Sequence, residues 1–173
     1  MKKIALLLAL MLVTMASHAQ KVDTNVRDEN GKRTIGVPMR AFYIDHVIHG
    51  CFFEYNEING TEIYNLTFAI SDQHYRWHLV KWQPILMKNS NGEVIQYDFM
   101  GITDCRIVKG KYHVLVSMPL TKEQAKIIDD GLVKVRLPRA DVDTGKISNL
   151  DLDFDSDLTN YLQKAKRNID KTI

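Results

Sequence analysis

After Pro38 apolar and polar residues alternate along most of the chain, with β-branched and aromatic side chains at the apolar positions. A period of two is the pattern of strands whose side chains face opposite ways in turn. Two Asn-Gly pairs divide this region into hairpins, because a two-residue type I′ turn needs positive φ at both central positions. Folding about Asn59-Gly60 sets Tyr55 opposite Tyr64, Phe53 opposite Leu66 and Cys51 opposite Phe68 on one apolar face. Glu54, Asn56, Asn65 and Thr67 fall on the other, as a sheet with one side against a core requires. Asn91-Gly92 joins the stretch around Ile85 to Lys88 with the one from Val94 to Met100. A third turn at Lys109-Gly110 puts Ile107 opposite Tyr112 and Cys105 opposite Val114, with Arg106 and His113 together on the other face.

The period then changes. Thr121 and Gln124 form a capping box, and Gly131 ends the short helix that it opens. Strand alternation resumes at Leu132 to Leu137, with Val133, Val135 and Leu137 against Lys134 and Arg136, and a polar connection follows. From about Asp157 to Thr172, Leu158, Tyr161, Leu162, Ala165 and Ile169 repeat at the spacing of one helical face. Asp155, Ser156 and Asp157 cap that helix and suit its dipole, as do Lys164, Lys166, Arg167 and Lys171 towards its end.

These elements predict a mainly β fold, an antiparallel β-sandwich or partly open barrel of six to nine strands, with a short helix near 121–130 and a C-terminal amphipathic helix. The alternative is an α+β fold with that helix packed on one open sheet. The expected core is Phe53, Tyr64, Leu66, Phe68, Ile70, Tyr97, Phe99, Ile107, Val114, Val116, Val133 and Val135.

The start of the chain has a different logic. Lys2 and Lys3, the apolar run from Ile4 to Val13 and Ser17-His18-Ala19 have the charge, core and cleavage site of a secretory signal peptide. The apolar run is too short for a bilayer, and no later segment reaches the ~20 apolar residues of a membrane helix. The first cysteine, Cys51, is too far away to carry a lipid anchor. The reading is a signal peptide over 1–19, a flexible leader or weak edge strand over 20–33, and a single globular domain over 34–173. The mature chain is expected to be soluble in the periplasm or outside the cell. Cleavage leaves 21 basic against 21 acidic residues, a neutral balance that argues against nucleic-acid binding.

Cys51 and Cys105, both placed on apolar faces, are candidates for a disulfide across adjacent strands, with unpaired core cysteines as the alternative. His74 and His78 are the strongest metal candidates by spacing. In a strand, however, that spacing is ~13 Å, too far to share an ion, so no metal and no cofactor are expected. The run Asp151 to Asp157 has the alternating carboxylates of a calcium loop but puts Ser156 where the turn glycine belongs and Leu162 where the closing glutamate belongs. Tyr75, Trp77 and Trp82 cluster in sequence and are candidates for gripping a sugar ring or a protein partner. Catalytic motifs of the serine hydrolases, zinc proteases, phosphate loops and dinucleotide folds are missing.

The Lys-Lys start, the Ala19-Gln20 boundary, and Leu120 to Gln124 leading to Val133 to Leu137 resemble small exported proteins of Bacteroidota bacteria. The resemblance implies a Gram-negative envelope setting and no particular activity. The leading expectation is therefore a non-enzymatic binding or interaction protein, protective or inhibitory, whose partner is another envelope or extracellular protein. Two alternatives stand beside it. One is a carrier of a small apolar ligand, a lipid or a glycan inside a curled sheet; the other is a hydrolase without a recognisable motif, pairing His74 or His78 with Glu54 or Asp72.

Overall fold

The computed structural model describes residues 22–44, 47–72, 76–98, 102–108 and 111–173, and the statements below concern these. Alternation along the chain produces two antiparallel sheets that do not close into a barrel. The first is built from β1 (Thr24–Arg27), β2 (Arg33–Gly36), β3 (Arg40–Ile44), β4 (Val47–Ile58), β5 (Thr61–Asp72), β9 (Ile102–Val108) and β10 (Lys111–Leu120). Its order is β1-β2-β4-β5-β10-β9, with β3 paired to β4. The second contains β6 (Trp77–Leu79), β7 (Ile85–Asn89), β8 (Val94–Tyr97), β11 (Leu132–Asp141) and β12 (Ile147–Asp153), in the order β12-β11-β7-β8 with β6 paired to β11. Two helices, α1 (Lys126–Asp129) and α2 (Ser156–Asp170), complete the fold.

The hairpin about Asn59-Gly60 has the expected register, Tyr55 to Tyr64, Phe53 to Leu66 and Cys51 to Phe68. Both turn residues adopt positive φ, 51° and 77°, as a type I′ turn demands. The pairing of β9 with β10 likewise sets Ile107 opposite Tyr112, Cys105 opposite Val114 and Arg106 opposite His113, while residues 109 and 110 lie outside the described residues. At Asn91-Gly92 the turn differs from the two-residue form. Only Gly92 has positive φ, and Asn89 N–H donates to the Glu93 carbonyl at 3.0 Å, so the loop is one residue longer. The cause is Asn89, which is buried and whose side-chain oxygen accepts from the backbone N–H of both Asn91 and Glu93.

Three further stretches refine the expectations. Of the two forms open to the leader, the edge strand is the one seen, as β1 pairs with β2. The polar connection after Leu137 is in fact the end of β11, a turn and β12, which pair continuously from Lys134–Asp153 to Ala140–Ile147. Asp151 and Asp153 are not arranged as a calcium loop. Lys134 Nζ lies 3.0 and 3.1 Å from them, and Arg136 grips Asp151 through Nε and Nη2 at 2.7 and 2.8 Å. Asp155 caps α2 by accepting from Leu158 N–H at 2.7 Å, and Thr121 and Gln124 exchange the two bonds of their capping box.

Two strands contain proline at positions where a ladder partner has ended. The Pro138 carbonyl accepts from Val80 N–H at 2.9 Å, in the break between β6 and β7. The Pro119 carbonyl accepts from the Tyr97 hydroxyl at 2.7 Å, beyond the last residue that β9 pairs. The N–H that proline lacks would have pointed the same way, so neither residue interrupts a ladder.

A single apolar cluster joins both sheets and both helices. Of the expected core, Phe53, Tyr64, Leu66, Phe68, Ile70, Tyr97, Val114, Val116 and Val135 are buried and Val133 is half-buried. Phe99 and the Ile107 side chain lie outside the described residues. Helix α2 buries Leu158, Tyr161, Leu162, Ala165 and Ile169, the stripe read from the sequence. Its Tyr161 hydroxyl donates to the Pro38 carbonyl, and Tyr64 on β5 donates to Asp170 at 2.8 Å.

Phe68 meets Phe42 and Phe154 edge-on or tilted at ring separations of 6.4 and 5.7 Å, so it links β3, β5 and the entry to α2. Phe68→Ala should destabilise the protein by about 3–5 kcal/mol in chemical denaturation with an unchanged slope. A loss below about 1 kcal/mol would mean that this junction is not part of the core.

Burial, and for Tyr64 also the hydrogen bond to Asp170, raises the phenol pKa of Tyr64 and Tyr161 beyond the ordinary tyrosine range. Because the folded state favours the neutral phenol, stability should fall as pH rises past roughly 10, where the same groups ionise in the unfolded chain. Tyrosinate absorbance should therefore show two phenols that ionise only as circular dichroism reports unfolding. Titration of all tyrosines with the fold intact would contradict this.

Candidate functional site

The inner face of the second sheet changes character along its strands. On β11 the inward row runs from Val135 and Leu137, both fully buried, to Arg139 and Asp141. Their partners on β12 run from Leu152 and Leu150 to Ser148, and β6 places Leu79 beside Arg139 and Trp77 beside Asp141. The apolar floor of the core thus continues into an open cleft of about 380 Å³ lined by Trp77, Arg139, Asp141, Thr144, Lys146 and Ser148.

Trp77 forms the wall of this cleft and is only 1% exposed. The Arg139 guanidinium lies over its ring, 5.7 Å from the centroid, and Arg139 Nε donates to Ser148 Oγ at 3.3 Å. The ring face attracts the cation, and the Ser148 bond fixes the position of its Nε. The Trp77 indole N–H is buried and has no hydrogen-bond acceptor among the described residues. An unmatched buried donor costs about 1–3 kcal/mol, so the ring is held there by packing rather than by a polar anchor. Opposite, Asp141 organises the turn into β12. Its carboxylate accepts from the Thr144 hydroxyl and N–H, both at 2.7 Å, and from Asp143 N–H at 3.1 Å. The Thr144 hydroxyl bond is the largest cause holding the Asp141 carboxyl below its usual pKa, and Arg76, itself paired to Asp143 at 2.6 Å, adds to it.

No family model, curated protein or solved structure matches the chain. The reading of the site therefore rests on the geometry alone.

That geometry separates the aromatic candidates. Trp77 is inside, whereas Trp82, in the connection between β6 and β7, is 77% exposed, and Tyr75 lies outside the described residues. Trp77 and Trp82 do not form one aromatic patch, because the strand period that buries Trp77 ends at Leu79 and Trp82 sits in the exposed turn that follows. His78 faces away from Trp77 on the exposed side of β6, and His74 lies outside the described residues. Among the described residues no three His, Cys, Asp or Glu side chains are grouped to hold a metal ion. Glu54, on the first sheet, is engaged by the Asn56 and Asn65 amides, so it and His78 are not brought together. The Asp72 side chain lies outside the described residues.

The disulfide expectation is corrected by topology. Cys51 on β4 is a free, fully buried thiol, and β5 and β10 stand between β4 and the β9 strand that carries Cys105. Three strand spacings amount to ~14 Å, about twice the Cα separation that a bridge tolerates. The hairpin registers were legible in the sequence, but the order in which the two hairpins sit side by side was not.

Arg139, Asp141, Lys146 and Ser148 are functional candidates that sequence reading missed. They continue the inward alternation of Val135 and Leu137, a signal that becomes visible only once β12 is recognised as a strand. Burial alone pushes the Cys51 thiol pKa far above its ordinary value. Native protein should accordingly leave Cys51 unmodified by iodoacetamide over hours, with full labelling in denaturant. Non-reducing peptide mapping should yield no Cys51–Cys105 linked peptide, and such a peptide would refute the strand order.

Proposed function

We propose that this protein is an exported, non-enzymatic binding protein of the cell envelope, which engages another envelope or extracellular protein through the cleft beside Trp77. The observation that carries the reading is the shape and lining of that cleft. It is open on one side, has a guanidinium wall backed by the buried Trp77 ring, and carries Lys146, Ser148 and Thr144 on the facing turn and strand. An open recess with a cationic wall suits a protruding side chain or chain end of a macromolecular partner. A carrier would need a cavity that encloses most of its ligand. The space between the sheets is instead occupied by side chains of β3, β4, β5, β10, β11 and α2 packed into one cluster.

Export is supported by the signal-like start of the chain, and no helix among the described residues is long and apolar enough to cross a membrane.

The test is a cross-linked pull-down from native envelope and culture fluid with tagged mature protein, compared with Ser148→Trp, which fills the cleft from β12, gives up the Ser148–Arg139 hydrogen bond and leaves the buried Trp77 in place. Wild-type protein should retain a discrete partner that the plugged variant loses, with the variant as stable to heat as the wild type. Trp77→Ala is unsuitable as a probe because Trp77 is core. Retention of the same partner by Ser148→Trp would remove the cleft from the interaction, and recovery of a small glycan or lipid in place of a protein would favour the carrier.

A further inference from the structure

Strand β12 pairs with β11 alone, and the direction of its backbone groups can be worked out from its two ends. Phe154 N–H donates to the Val133 carbonyl at 2.9 Å, and Asp141 N–H donates to the Lys146 carbonyl at 3.0 Å. Backbone groups alternate along a strand, so Lys146, Ser148, Leu150, Leu152 and Phe154 bond towards β11. Ile147, Asn149, Asp151 and Asp153 then direct their N–H and C=O groups to the open edge, and among the described residues no strand pairs there.

Proteins usually blunt such an edge with charged side chains, lysine above all, or with proline, a bulge or brevity. β12 has no lysine, proline, bulge or brevity, and its only charged residues are Asp151 and Asp153, both paired to cations of β11. Its register with β11 runs unbroken over seven residues, and it contains neither lysine nor proline. The other edges are shorter or screened. β1 and β8 are four residues each, and β9 lies against β6.

The side chains of the same four residues stand on the outer face, and they state what would fit. Ile147 is 46% exposed at one end, while Asp151 and Asp153 form an acidic pair at the other. Their cations, Lys134 and Arg136, belong to β11, so on the side of the open edge the row presents carboxylates. A second copy of β12 paired in parallel would set these carboxylates against its own, and the antiparallel copy centred on Leu150 would set Asn149 and Ile147 against them, neither of which supplies a cation.

We propose that β12 is a docking edge for an extended segment of a partner protein with lysine or arginine at alternate positions, which adds to the second sheet as a further strand. Main-chain bonds to Ile147, Asn149, Asp151 and Asp153 would hold it, and its basic side chains would face Asp151 and Asp153. The proposal rests on the reading of the protein as an interaction module and specifies the kind of segment it takes, but it concerns a surface apart from the cleft wall.

The probe is a synthetic peptide of about eight residues alternating valine and lysine. Two controls accompany it, a valine–glutamate peptide and the valine–lysine peptide N-methylated at every residue. Mature protein should bind the first by fluorescence anisotropy, with affinity that falls as salt rises. The glutamate peptide should bind at least about tenfold more weakly. The N-methylated peptide, which cannot donate along either edge, should not bind. Hydrogen exchange should show new protection at the amides of Ile147, Asn149, Asp151 and Asp153. Asn149→Pro removes one edge-facing N–H and leaves the β11 ladder complete, so it should abolish binding with little change in melting temperature. Asp153→Lys, at an exposed position, should weaken the lysine peptide and strengthen the glutamate peptide even if the proline variant folds poorly. Equal binding of both peptides, protection elsewhere, or indifference to both substitutions would overturn the proposal. So would a concentration-dependent dimer that protects these same amides without peptide. Peptide binding that survives in Ser148→Trp, alongside a pull-down that is empty, would overturn the cleft reading and leave the edge standing.

Discussion

Helix α2 makes one core from two sheets that share no strand. Each sheet has an apolar inner face, and the two are in different parts of the chain's hydrogen-bonding order, so nothing in their ladders holds one against the other. The helix packs against β3, β4 and β11 and against α1, and buries its whole apolar stripe in doing so. Its orientation is set by polar contacts at the margins of that stripe. The Tyr161 hydroxyl meets the Pro38 carbonyl in the connection from β2 to β3. At the other end Lys166, with 7% of its side chain exposed, is held 2.9 Å from Asp129 and 2.7 Å from Asp170, with its ammonium over the Tyr64 ring. Burial alone would lower the Lys166 pKa, but two carboxylates with direct hydrogen bonds outweigh it and raise the value. A buried ion pair contributes little net stability compared with an apolar pair, so its value here is geometric. It allows one rotation of the helix, in which Tyr64, Asp129 and Asp170 converge.

The two sheets share a second device. In each, one long strand takes two consecutive short strands along the same edge, β2 and β3 on β4, β6 and β7 on β11. The joint between the short strands is sealed by a single backbone bond, Val37 N–H to the Phe53 carbonyl at 3.4 Å and Val80 N–H to the Pro138 carbonyl at 2.9 Å. This lets the edge bend without an orphaned donor, since the residue facing the second joint is a proline. It also explains why the cleft lies where it does. β6 is three residues long and opens with Trp77, while the turn from Asp141 to Lys146 carries the sheet further, so the indole forms a wall at the mouth of the core.

Much of this was legible in the sequence, for a physical reason. Where one face of a strand is buried, a slip of one residue would turn every apolar side chain outward, so pattern and turn together specify register. That is why the pairs Phe53–Leu66 and Cys105–Val114 follow from alternation and an Asn-Gly or Lys-Gly turn. β12 escaped because an edge strand buries little. Only Leu150 and Leu152 mark its inner face, and its outer face reads as a run of aspartates, which resemble a metal loop or a cap until Lys134 and Arg136 are set beside them. The Cys51 and Cys105 pairing failed differently. Both residues were assigned to sound hairpins, but the order of hairpins across a sheet depends on which edges meet, and local pattern contains no information about that. The aromatic cluster failed because closeness in sequence was taken for closeness on a surface, whereas the strand that buries Trp77 ends before the turn that carries Trp82.

The distribution of order over the molecule points in one direction. Aromatic rings, buried hydrogen bonds and the Lys166 ion pairs concentrate where the helix meets the first sheet rather than at β12 and the cleft mouth. There the second sheet's surface is polar and its charged groups are paired in rows, its outer strand pairs with β11 alone, and its turn is tied to β11 and to Arg76. A rigid body that fills its interior with side chains leaves recognition to the places where its own pairing stops. In this protein those places adjoin, since Ser148 lines the cleft and its neighbours Ile147 and Asn149 direct their backbone to the open edge. A partner strand laid along β12 would therefore run past the mouth of the cleft, and a side chain at the Ser148 end of that strand would be within reach of the wall formed by Trp77 and Arg139.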